Sequence, residues 1–176
     1  MTVKTGSKKA RIAKVTVSVL FALYLCFFAY VTLFSGRYGR SFPSITDLDP
    51  EKIAEHFRWH SSLVPFATVT DFIKGYLNGN VGIHAITVNI FGNLAATAPF
   101  GFFIPFLSKK KVGVLRLVFT VFATVLAVEG LQVLLMTGSF DVDDLILNVS
   151  GALLTFGILR IPPIEKAIFK LTEKQI

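Results

Sequence analysis

A single cysteine, Cys26, excludes a disulfide within this chain of 176 residues. Charge is equally scarce: Asp, Glu, Lys and Arg make up 16% of the residues, against about 25% in an ordinary soluble domain. Histidine occurs three times. His56 and His60 stand at metal-ligand spacing, but no cysteine is near and no HExxH pattern is present, so no zinc site is read there. Nothing else calls for a metal or a cofactor. The formal charge of +7 is not a nucleic-acid signal, because the bases gather at the ends of apolar runs. Internal repeats and low-complexity tracts are absent.

What the chain has instead is apolar length. Hydrophobic residues make up 53%, Phe occurs 18 times, and the mean hydropathy is +0.65. A soluble domain of this size cannot hide several apolar runs of about 20 residues, each long enough to cross a bilayer. The expected fold is all-α: a polytopic integral membrane bundle of about four transmembrane helices, in one domain over residues 1–176. Spans are expected near 13–34, 86–107, 112–136 and 142–161, after a basic arm over 1–12. The first run is longer than a signal-peptide core and runs into Ser35-Gly36-Arg37, so it reads as an uncleaved helix. Pro99 should kink the second span, with Gly101 and Pro105 weakening its continuation.

Residues 36–85 are expected to form an outer loop with two short amphipathic helices. Asp49-Pro50-Glu51 gives an N-cap followed by proline at the first helical position. That helix is expected to run to about His60, with Ile53, Ala54 and Phe57 on one side. Ser61 to Phe66 breaks it; Thr70-Asp71 opens the next, and Asn78-Gly79-Asn80 ends that one. Both helices suit a membrane surface. Pro65 and Phe66 are expected to dock between them as a lid over a polar pocket. Over 36–87 five bases (Arg37, Arg40, Lys52, Arg58, Lys74) balance five acids (Asp47, Asp49, Glu51, Glu55, Asp71). The basic arm, the Lys109–Lys111 turn and the tail after Arg160, with Lys166, Lys170 and Lys174, fall on the other side of a four-span layout. Both termini of this multi-pass cell-membrane protein are therefore expected in the cytoplasm.

Polar side chains recur inside the apolar runs. Asp141, Asp144, Asn148 and Gly151 share one helical face, while Asp143 and Leu147 point elsewhere, so Asp143 is expected to matter less. Asn89 and Asn93 share a face of the second span, and Glu129 and Gln132 a face of the third. Glu129 lies roughly 10 Å below the interface. Ionisable groups at such depth are costly and point to function. Structural duty competes with that reading: Asp141 or Asp143 as a helix cap, Asn89 in helix packing, Glu129 as a partner for an asparagine. In the expected topology all seven residues (Asn89, Asn93, Glu129, Gln132, Asp141, Asp144, Asn148) reach one depth in the outer half of the membrane. They describe a polar pocket beside lipid headgroups.

Four blocks carry a resemblance: SLVPF at 62–66, NIFGNLAATAPFGFFIP at 89–105, EGLQ at 129–132 and FDVDDLILNVSG at 140–151. In this order they resemble the VanZ-like family of bacterial membrane proteins. Ser62 stands where an Asn is expected, Ala96-Thr97-Ala98 replaces bulkier apolar residues, and Ser139 stands where an Arg is frequent. The resemblance implies about four helices and, for the family's namesake, reduced susceptibility to the glycopeptide antibiotic teicoplanin. From the residues themselves, an enzyme on a lipid-linked glycan would use Glu129 as acid and Asp144, or else Asp141, as base or nucleophile, as glycoside cleavage requires. Asn89, Asn93, Gln132 and Asn148 would bind the substrate. A non-catalytic protein binding membrane lipids or a cell-wall precursor is the alternative, and a small transporter a third.

Overall fold

The structure, a computed structural model, describes residues 3–33 and 49–172. Ser35, Gly36, Arg37, Arg40, Asp47 and Lys174 lie outside the described residues. The helices are α1 (Val3–Leu33), α2 (Pro50–His60), α3 (Ala67–Leu77), α4 (Ile83–Thr97), α5 (Phe100–Leu107), α6 (Val114–Leu134), α7 (Val142–Leu159) and α8 (Pro162–Thr172). Four stretches are long and apolar enough to cross a membrane: Arg11–Leu33, Ile83–Leu107, Val114–Leu134 and Val142–Leu159. The chain is an all-α polytopic membrane bundle.

The second of these stretches is broken where proline removes a backbone donor. α4 ends at Thr97, and the chain re-enters α5 through Ala98 and Pro99. The Gly101 N–H donates to Ala98 O at 3.0 Å, a tightened turn that covers the break. Pro105 sits inside α5 without ending it. The stretch starts at Ile83, three residues before the expected boundary, because Gly82 ends the preceding turn.

α7 is the axis of the packing, set against α4, α5 and α6. Leu117, Val121 and Val125 of α6 recur every fourth residue and meet Leu145, Ala152 and Phe156 of α7 in the buried core. Two glycines allow the close approach. A Cβ on Gly151 would lie 2.0 Å from the Leu94 carbonyl oxygen, and one on Gly101 2.3 Å from that of Ala152. Helices in lipid associate by such backbone contact, since apolar side chains gain nothing by leaving the tails. α1 is held by Phe21, Tyr24 and Phe28 meeting the Phe100 ring edge-on, by Phe21 tilted against Phe103, and by Tyr24 Oη donating to Ala96 O. Outward-facing Leu115, Phe119 and Leu154 stay uncovered, as on a lipid-facing surface.

The two ends of the bundle differ. At one, Arg160 at the end of α7 donates from Nη2 to Val112 O at 2.7 Å and stacks 4.1 Å over Phe156, beside the turn that holds Lys109–Lys111. At the other, the α6–α7 turn receives α2 and α3. α2 starts as its sequence indicates, with Asp49 accepting from the Glu51 N–H at 2.9 Å and Pro50 next. α3 starts at Ala67 rather than Thr70, for a reason that lies in α7.

Candidate functional site

At the α6–α7 end a cavity of about 530 Å³ is walled by α1, α3, α4, α6 and α7 and by the 137–139 turn. Asn89, Asn93, Glu129, Gln132, Asp141, Asp144 and Asn148 all line it. Three helices deliver them as their spacings require: Asn89 and Asn93 from α4, Glu129 and Gln132 from α6, and Asp144 and Asn148 from α7 with its cap Asp141.

The α7 start is the hub. Asp141 has extended backbone (φ −130°, ψ 120°), the conformation of an N-cap. Its Oδ1 accepts from the Asp143 N–H at 2.8 Å, and its Oδ2 accepts from Thr68 Oγ1 at 2.7 Å. Both carboxylate oxygens therefore serve the fold. The Asp141 N–H in turn donates to Glu129 Oε2 at 3.3 Å, which ties the buried α6 acid to the first turn of α7. One turn on, Asp144 Oδ1 accepts from Asn93 Nδ2. Asn148 Nδ2 donates to the Asp144 carbonyl at 2.7 Å, and Thr97 Oγ1 donates to the Asn148 carbonyl. Gln132 Nε2 donates to Thr32 O at 2.8 Å and so joins α6 to α1. Asn89 Oδ1 is enclosed and finds no partner among the described residues.

One expectation is overturned. Phe66 is no lid: the residue is 60% exposed and does not line the cavity, whose wall on this side is made by Thr68 and Phe72 of α3. Pro65 is exposed as well. The segment is held by its backbone instead. The Ser62 N–H donates to Phe140 O at 2.8 Å, the Val142 N–H donates to Ser62 O at 3.0 Å, and the Asp143 carboxylate accepts from the N–H groups of Phe66 and Val69. Asp143 does point away from the cavity, yet at 1% exposure it is the most enclosed acid among the described residues. It ends in backbone donors at the start of α3, which is why that helix begins at Ala67.

Neither Thr68 nor Thr97 was read as a site residue in the sequence. Thr97 follows Asn93 by four residues, so the α4 stripe contained it. Thr68 could not be found that way, since its place depends on a contact with a residue 73 positions later. His56 and His60 stack at 4.4 Å, and His56 Nε2 bonds Gly138 O at 2.6 Å, which ties α2 to the α6–α7 turn. Among the described residues no three His, Cys, Asp or Glu side chains form a metal-binding group.

Carboxylates and amides on one wall suit a ligand with several hydroxyl or amide groups. The apolar part of the wall, from Phe28, Val31 and Val125, suits whatever aliphatic part adjoins it. No curated protein and no solved structure matches the chain significantly. The model of the VanZ/LLP1 family matches residues 21–163, and the chain belongs to that family of membrane proteins.

Proposed function

We propose that the cavity binds the polar head of a lipid-linked saccharide or other cell-wall precursor, and that Glu129 and Asp144 act on it as an acid–base pair. The observation that carries this is the meeting of those two acids, from α6 and α7, with three asparagines at one cavity of a membrane bundle. In this reading both termini are cytoplasmic, as the bases at the Lys109–Lys111 end favour, and the cavity opens at the outer face. Glu129 gives a proton to the glycosidic oxygen that leaves. Asp144 activates water or attacks the sugar carbon. Asp141 supports the site through its capping bonds and does not react. Removal or alteration of an envelope precursor would account for an effect on glycopeptides such as teicoplanin.

A non-catalytic binding role is the second reading. Its support is that Asp144 already accepts from Asn93, an arrangement suited to holding a ligand. Both readings require a bound envelope lipid. Full-length protein purified from its membrane should carry a lipid-linked saccharide, identified by mass spectrometry of solvent extracts, and Asp144→Ala should lose it. Co-purifying lipids that merely match the bulk membrane in both proteins would refute the proposal.

A further inference from the structure

We infer that Asp143 is the positioning residue of the cavity: it caps α3 from a distance and fixes the wall that Thr68 and Phe72 present. The consequence for a ligand rests on the cavity being the working site, but the placement of α3 does not.

A helix start leaves backbone N–H groups without partners, and a side chain just before it usually supplies an acceptor. α3 has none to supply. The residue at its cap position is Phe66, with no side-chain bond and a left-handed backbone (φ 65°) that a non-glycine residue adopts at a cost. The missing acceptor arrives from α7. Asp143 Oδ1 accepts from the Phe66 N–H and Oδ2 from the Val69 N–H, the latter at 3.0 Å. A carboxylate there also matches the positive end of the α3 dipole.

α3 also packs on α4, and Thr68 bonds Asp141, yet neither contact serves the N–H groups of Phe66 and Val69, which Asp143 takes. The helix has no fully buried residue, so apolar burial does not lock it in place. The Ser62 backbone bonds stop four residues before the Asp143 contact, and Leu63 to Phe66 between them are exposed. Thr68 and Phe72 face the cavity because the first turn of α3 is pinned. Asp143 and Asp141 thus divide the work: one sets the helix, the other takes the Thr68 hydroxyl once the helix is set.

The test uses full-length protein in lipid nanodiscs, in a Cys26→Ala background. Spin labels on cysteines at Ile73 (α3) and Ile158 (α7) report the position of α3. A second pair, at Leu134 (α6) and Ile158, reports the bundle. All three sites are exposed. In the parent both distance distributions should be narrow. Asp143→Asn places an NH₂ against a backbone donor, and Phe66→Pro removes the Phe66 donor and forbids a positive φ. Each should broaden the Ile73–Ile158 distribution and leave Leu134–Ile158 unchanged. Phe66→Gly removes the backbone cost, so added to Asp143→Asn it should narrow the first distribution again. The inference is overturned if both single variants keep the parent distribution. It is equally overturned if both pairs broaden together or neither variant inserts, since Asp143 would then support the whole bundle. None of these readouts needs a ligand, so failure here is distinct from failure of the functional proposal.

Discussion

The Asn93 amide on α4 donates to the Asp144 carboxylate on α7, beside the point where Gly151 lets the two helices touch. A polar bond and a backbone contact thus share one crossing. Asn93→Leu keeps the volume and removes the donor. A buried group that loses a hydrogen-bond partner costs about 1–3 kcal/mol. Asn93→Leu should lower the melting temperature of purified protein and weaken ligand retention as well.

Gly151→Ala should be worse for assembly, because its Cβ would meet the Leu94 carbonyl oxygen, which is backbone and cannot swing away. Overpacking of this kind costs about 1–3 kcal/mol. Gly130→Ala is the control. Nothing lies within 4 Å of its Cβ, and alanine is the better helix residue by about 0.5–1 kcal/mol. Thermal melting should move down for Gly151→Ala and stay level or rise for Gly130→Ala.

These cases indicate which parts of the site the sequence made legible. Helical spacing sufficed for Asn89, Asn93, Glu129, Gln132, Asp144 and Asn148, because each pair lies on one face of one helix. The kink at Pro99 was legible for a similar reason: proline acts locally. Asp143 was not legible. Its face could be read, but the donors it meets sit on a helix 74 and 77 residues away in sequence. The start of α3 was hidden by the same cause, since Phe66 carries no local signal for a cap. The lid expectation failed because it followed the apolar side chains, while the backbone holds the segment.

Orientation has a direct test. In a Cys26→Ala background, cysteines at Ser61 and Ser139 should react with an impermeant thiol reagent added to intact cells, and one at Lys110 should not. Ser139 is exposed and is the stronger reporter; Ser61 is half-buried and should react more slowly. Labelling at Lys110 with protection at Ser139 would invert the topology and move the cavity to the cytoplasmic face.

The acids themselves separate chemistry from architecture. Glu129→Gln keeps an oxygen that can accept from the Asp141 N–H, and Asp144→Asn keeps one for the Asn93 amide. Both variants should insert and accumulate like the parent. If the pair performs acid–base catalysis, each should cut turnover of a lipid-linked glycan, or the glycopeptide phenotype that depends on it, by about 10²–10⁴-fold. Asp141→Asn should behave differently. Its two oxygens accept from the Asp143 N–H and from Thr68, and only the hydroxyl can reverse its role toward an NH₂. Both bonds can then persist without the charge, so the expected result is a loss of only about 1 kcal/mol in stability with activity per folded molecule largely kept. Normal activity in both Glu129→Gln and Asp144→Asn, at normal abundance, would exclude proton transfer by this pair. The cavity would then be a binding site, and ligand retention should fall in Asn89→Leu and Asn93→Leu without any hydrolysis to measure.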